Sequence, residues 1–194
     1  MAIKVAVAGK GGVGKTTLVA ALARELAGQE LQVLAVDCDP NPNLAESFGL
    51  DSRQLPRFSH DDLRPVPGTL ALVNEPELVE LEPGRLWLLA GPPRESALND
   101  AVARGIAGVL VADRFDWVVT DLGAGPEFTR MAVGGVLNPA DVCVVLSDGG
   151  QAAELTAERI EAACTDREVR SVRLVNGVGK ADDLVSELRR SLSY

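Results

Sequence analysis

The sequence predicts an α/β fold in three layers, with a mostly parallel sheet of about seven strands and helices on both faces. Three observations predict it. Short apolar, β-branched runs alternate with segments of helical periodicity, which implies crossover connections between parallel strands. The run 141-DVCVVLS-147 is almost continuously apolar, as a strand covered on both faces must be. A glycine-rich stretch, 9-GKGGVGKTT-17, links the first apolar run to the first helical segment.

In chain order, the expected strands are 3-IKVAVA-8, 32-QVLAVD-37, 69-TLALV-73, 85-RLWLLA-90, 116-DWVVTDL-122, 141-DVCVVLS-147 and 171-SVRLVN-176. The first helix is expected over 16–29, where Leu18, Leu22 and Leu26 recur every four residues and Gly28 offers a stop. Further helices are expected over about 95–112, 127–138, 151–164 and 181–192. Prolines 56, 65, 67, 76 and 83 interrupt 51–84. That segment reads as an irregular excursion carrying one or two short strands, within a single domain over 1–194.

Composition narrows the function classes. The chain has 194 residues, 46% hydrophobic and 24% charged, with a formal net charge of −9. Such a balance argues against nonspecific binding to nucleic acid or to an anionic membrane, because both depend on summed positive charge. No apolar run is long enough to span a bilayer, and the N-terminus lacks the layout of a signal peptide. Cys38, Cys143 and Cys164 are scattered and odd in number, and His60 is the only histidine. Disulfide scaffolding and a soft-ligand metal cluster within one chain are therefore not expected, and the setting expected is cytoplasmic.

The stretch 9-GKGGVGKT-16 satisfies G-x-x-x-x-G-K-[ST]. Gly11, Gly12 and Gly14 let backbone N–H groups turn inward around phosphate oxygens. The helix that follows points its unpaired N–H groups at the same anion. Lys15 is expected to bridge the β- and γ-phosphates, and the Thr16 hydroxyl to bind Mg2+. Val13 and Thr17 complete the expected nucleotide-binding set.

Lys10 is an addition to the general pattern. With it, GKGGVGKTT resembles the deviant phosphate loop of the MinD/ParA class of ATPases. The segments 33-VLAVDCDPNPNLA-45, 121-DLGAG-125 and 140-ADVCVVLSDGGQAAELTAERI-160 are similar to the CooC-like branch, the carbon monoxide dehydrogenase accessory proteins. The resemblance implies a P-loop NTPase fold, slow ATP hydrolysis with Mg2+, and a homodimer formed in the ATP state. It implies that Lys10 reaches a partner subunit's phosphates and stabilises charge on the transferring phosphoryl group. By the same resemblance Asp39 orients the attacking water and Asp37 lies near the Mg2+ shell. Asp121, at a strand tip, takes the Walker-B role toward Mg2+. Asn176 reads the adenine edge.

The CooC-like branch carries a C-x-C metal pair in the region that here reads 90-AGPPRESALNDAV-102, without cysteine. The nucleotide machinery is thus expected without that thiolate site. The client protein stays open, with Arg94, Glu95 and the 51–84 excursion as candidate partner surface. Two other classes also stay open: a partition or positioning ATPase, and a nucleotide-dependent regulatory module with little hydrolysis.

Overall fold

The computed structural model describes residues 1–90, 97–125, 139–175 and 181–192. Nine strands occur among them: β1 Ile3–Gly9, β2 Val33–Cys38, β3 Leu63–Val66, β4 Thr69–Leu72, β5 Val79–Glu82, β6 Leu86–Leu89, β7 Trp117–Leu122, β8 Val142–Ser147 and β9 Arg170–Val175. The helices are α1 Lys15–Gly28, the single turn α2 Leu44–Ser47, α3 Ala97–Leu110, α4 Gln151–Thr165 and α5 Ala181–Leu192. Seven strands form the main sheet in the order β5-β6-β2-β7-β1-β8-β9. All of its pairings are parallel except β5 with β6.

Strand geometry sends alternate side chains to opposite faces, and the sequence supplies apolar residues at both parities. On one face Val5 and Val7, Val33 and Ala35, and Val142, Val144 and Leu146 pack against Leu18, Leu22 and Leu26 of α1 and Leu184, Val185 and Leu188 of α5. On the other, Ala6 and Ala8, Leu34 and Val36, and Cys143 and Val145 pack against Ala101, Ala103 and Ala107 of α3 and Ala157, Ile160 and Cys164 of α4. The sheet is therefore buried from both sides, as the three-layer expectation required.

One strand assignment is corrected. The run 69–73 does not join the main sheet; it forms a separate antiparallel hairpin, β3–β4. The seventh strand is instead β5, which lies antiparallel at the edge beside β6. The reason is turn chemistry. Pro67-Gly68 and Pro83-Gly84 each close a hairpin, with both glycines at positive φ (80° and 67°), as position i+2 of a type II turn demands. Each proline-glycine pair thus makes a local antiparallel partner available before a crossover can form. The remaining expected strands and the helices at 16–29, 95–112, 151–164 and 181–192 are present within about two residues of their expected bounds. The expected helix at 127–138 lies outside the described residues.

Helix α3 lies unusually close to the sheet. A Cβ on Gly108 would stand 2.7 Å from Val36 Cγ2. A mid-helix glycine costs about 1 kcal/mol relative to alanine, so this one is explained by the close approach it permits.

Candidate functional site

The parallel strands deliver their C-terminal ends to one edge, where three chain segments meet: the loop after β1, the loop after β2 and the end of β7. In open α/β sheets this edge is where ligands bind. A cleft of about 540 Å3 opens there, lined by Gly11, Gly12, Gly14, Lys15, Thr16 and Thr17 of the first loop and helix, by Asp39, Asn43, Glu46 and Ser47, and by Ala124.

The first loop is shaped for an anion. Gly14 caps α1 from the left-handed region (φ 93°) and offers no side chain to the helix's unpaired N–H groups, and no acidic residue occupies the first turn. A helix start left uncapped in this way keeps its donors and its positive end available for a bound anion. Gly11 passes close to the β7 loop, since a Cβ there would lie 3.4 Å from Ala124 Cβ. Lys15 is buried, and its Nζ donates to the Lys10 carbonyl at 3.3 Å, closing the loop on itself. Burial lowers the Lys15 pKa, while the charges of Asp121 and Asp39 pull it back up.

Asp37 and Asp121 end adjacent parallel strands and are register partners. Both are fully buried. The Asp37 carboxylate accepts one backbone hydrogen bond on each oxygen, from Asp39 N at 3.0 Å and from Leu44 N at 3.0 Å. It thereby ties the loop to the first residue of α2. Burial raises the Asp37 pKa to about 6, against the two amide hydrogen bonds and the Arg104 charge. Asp121 has no such support: neither carboxylate oxygen has a hydrogen-bond partner among the described residues. Burial first, and the Asp37 charge second, push it up to about 8. The Thr16 hydroxyl is near enough to soften this rise without standing in hydrogen-bond geometry.

An orphaned buried carboxylate beside the Thr16 hydroxyl fits a hard divalent cation. Mg2+ takes only one or two protein oxygens and completes its shell with phosphate and water. It therefore needs no larger cage, and among the described residues no group of three or more His, Cys, Asp or Glu side chains forms one.

Of the residues expected from sequence, Gly11, Gly12, Gly14, Lys15, Thr16, Thr17 and Asp39 line one cleft. Val13 turns its side chain into the core beside α1, so only its backbone faces the anion site. Lys10 is half-buried, and its ammonium has no ion pair among the described residues. Asp37 and Asp121 lie behind the cleft wall. Asn176, Arg94 and Glu95 lie outside the described residues. Asn43, Glu46 and Ser47 were not expected; their signal was the polar spacing that follows 39-DPNPN-43. Arg104, which donates to this loop from beneath, carried no sequence signal, being one arginine among many.

Comparison with known proteins bears on the family and the fold. The chain is 28% identical to an uncharacterized ATP-binding protein of Methanocaldococcus jannaschii, over 93% of this chain and 77% of the relative. It is also 28% identical to the carbon monoxide dehydrogenase accessory protein CooC of Rhodospirillum rubrum, over 88% of this chain and 72% of that protein. Among solved structures, MinD of Pyrococcus horikoshii in complex with Mg-ADP superposes with a TM-score of 0.69 at 19% identity, covering 88% of this chain and 68% of that one. Cobyrinic acid a,c-diamide synthase of Mycobacterium smegmatis, with an ATP analogue and magnesium, superposes at 0.66 with 22% identity, covering 98% and 82%. At that identity the structural likeness establishes the fold. Family membership follows from the sequence itself: residues 4–191 match the CobQ/CobB/MinD/ParA nucleotide binding domain, and the chain belongs to that family.

Proposed function

We propose that the chain is an ATP-hydrolysing switch of the MinD/ParA class, CooC-like in kind, in which two nucleotide-bound copies close on each other and separate after hydrolysis. One observation carries the reading: an uncapped α1 start and the buried Lys15 line one cleft, and a buried Asp121, its carboxylate without a hydrogen-bond partner among the described residues, lies behind the wall of that cleft. This is the donor, cation and metal-ligand set that a magnesium-triphosphate requires.

The loop amides from Gly11 to Thr16 and the Lys15 ammonium hold the β- and γ-phosphates. Thr16 and Asp121 would hold Mg2+, with Asp37 bracing the strand end beside them. The metal supplies positive charge that offsets charge building on the phosphoryl oxygens. Asp39 lines the cleft with one carboxylate oxygen committed to the Asn41 amide at 2.8 Å, which leaves the other to orient water. Attack of that water on the γ-phosphorus forms one P–O bond and breaks the bond to the β-γ bridging oxygen. ADP leaves with that bridging oxygen, and the water's proton ends on phosphate or solvent. Lys10, half-buried in the loop and without an ion pair among the described residues, would reach the partner copy's phosphates. The γ-phosphate drives closure only through contacts that exist in the closed pair.

The CooC relative is an accessory protein of carbon monoxide dehydrogenase, which motivates a client that is a metalloenzyme under maturation, served here without the C-x-C metal pair. The formal charge of −9 favours a protein client over DNA or an anionic membrane surface. No helix among the described residues is long and apolar enough to cross a membrane.

Calorimetry with Mg-ATP, light scattering with a slowly hydrolysed analogue, and phosphate release together test the reading. Uptake of one nucleotide per chain, analogue-dependent doubling of mass and slow turnover are expected. Absence of magnesium-dependent nucleotide uptake would refute it.

A further inference from the structure

Helix α3 carries Arg104, whose side chain is fully buried. Its hydrogen-bond partners are not carboxylates. Nε donates to the Asp37 carbonyl and Nη2 donates to the Asp39 carbonyl at 3.1 Å, while Nη1 has no acceptor among the described residues. A buried guanidinium without a directly bonded carboxylate carries a large desolvation cost. Packing alone gives no reason to keep one here, since an apolar residue of similar size would avoid that cost.

What the guanidinium holds supplies a reason. The Asp39 amide is pinned by Asp37 Oδ1 at 3.0 Å, and the Asp39 carbonyl is pinned by Arg104. Both peptide units flanking Asp39 are therefore fixed, and its backbone dihedrals with them. The direction in which its carboxylate leaves the backbone toward the cleft is set by that pair of contacts. A planar fork suits two separated carbonyls in a way a single ammonium does not.

The sequence also places Arg104 one helical turn before Gly108, so both lie on the same face of α3. The absent Cβ at Gly108 lets α3 settle against Val36, the residue just before Asp37. The glycine thus sets how closely the guanidinium approaches the loop.

We propose that Arg104 is a positioning residue for hydrolysis: it clamps the Asp37 and Asp39 carbonyls and so aims the Asp39 carboxylate at the attacking water. Helix α3 thereby gains a hold on the rate. This inference rests on the water-orienting reading of Asp39 given above.

The test compares wild type, Arg104→Lys, Arg104→Met and Gly108→Ala, with Asp39→Asn as control for the underlying reading. Circular dichroism checks folding, calorimetry measures Mg-ATP affinity and phosphate release gives kcat and KM. In folded variants kcat is expected to fall about tenfold or more while affinity stays within about threefold, because sub-ångström misplacement of a water-orienting group affects the reacting geometry more than the grip on phosphate. Arg104→Lys, which can reach only one carbonyl, should fall between wild type and Arg104→Met. Wild-type kcat in a folded Arg104→Met variant overturns the proposal, as does a matched loss of affinity and kcat, which marks a purely structural role.

If Arg104→Met does not fold, nitrogen-15 spectra of the wild-type arginine side chains decide. A slowly exchanging Arg104 Nε–H signal that moves on adding magnesium and a slowly hydrolysed ATP analogue supports the clamp. A rapidly exchanging signal, or one indifferent to nucleotide, overturns it. Wild-type turnover in Asp39→Asn sinks the Asp39 reading and this inference together. A dead Asp39→Asn beside an unaffected Arg104→Met sinks this inference alone.

Discussion

Asp37 and Asp121 are register partners on β2 and β7, both without solvent exposure, yet of the two only the Asp37 carboxylate is hydrogen-bonded among the described residues. The two carboxylates therefore carry different loads. Asp37 braces the loop that bears Asp39, and Asp121 lies behind the cleft wall with neither carboxylate oxygen hydrogen-bonded among the described residues.

The imbalance gives a pH dependence to the nucleotide-free protein. An unfolded aspartate titrates near 3.8, whereas burial places Asp121 at about 8 and Asp37 at about 6. A carboxyl whose pKa is raised by folding binds more protons folded than unfolded across that interval, so stability falls as pH rises through it. Its stabilising share is complete below the unfolded value and lost above the folded one. In chelator, the melting temperature of wild type relative to Asp121→Asn should decline from about pH 4 to about pH 8. A flat difference across that range would contradict the assignment. Magnesium with ADP should recover the loss in wild type and not in Asp121→Asn.

Lys15→Met should abolish Mg-nucleotide binding, read as the loss of any calorimetric signal at concentrations that saturate wild type. The ammonium is buried in the loop and closes it through the Lys10 carbonyl. The substitution therefore removes both the phosphate's nearest cation and the loop's own tie. A variant that still binds nucleotide within about tenfold of wild type would place the triphosphate elsewhere.

Lys10→Ala separates binding from turnover. Its side chain has no ion pair among the described residues, so nucleotide affinity should change little. Analogue-induced dimerisation should disappear in light scattering, and kcat should fall by roughly 100-fold or more, the scale on which a charge supplied in trans acts on phosphoryl transfer. Unchanged turnover would remove Lys10 from the mechanism.

Two glycines offer a matched test of backbone constraint. At Gly9, φ is +152° and an added Cβ would lie 2.5 Å from the Leu146 carbonyl oxygen. Gly9→Ala is expected to cost roughly 2–3 kcal/mol in urea unfolding, through overpacking that the backbone cannot relieve. At Gly28, the last residue of α1, an added Cβ meets nothing within 4 Å. Gly28→Ala should be neutral or stabilise by up to about 1 kcal/mol. Equal effects at the two sites would contradict the packing described.

Much of this protein was legible in the one-dimensional order of residues. The β–α alternation, the loop 9-GKGGVGKTT-17 and the acidic strand ends at Asp37 and Asp121 are local signals. Strand period, helix period and the glycine requirement of a phosphate cradle act over a few residues, so the chain alone determines them. Strand membership in the 51–84 excursion was not legible, because Pro67-Gly68 and Pro83-Gly84 promote hairpins whose pairing depends on which sheet edge is free. Nor was Arg104, which stands 65 residues from Asp39. Its contact with the loop that bears Asp39 accompanies the close approach of α3 to β2 that the missing side chain of Gly108 permits. Local preference chose the elements and the anion loop. Long-range packing alone decided which buried charge would stand beneath the acidic loop, since burial and pairing are properties of surfaces brought together and not of neighbours in the chain.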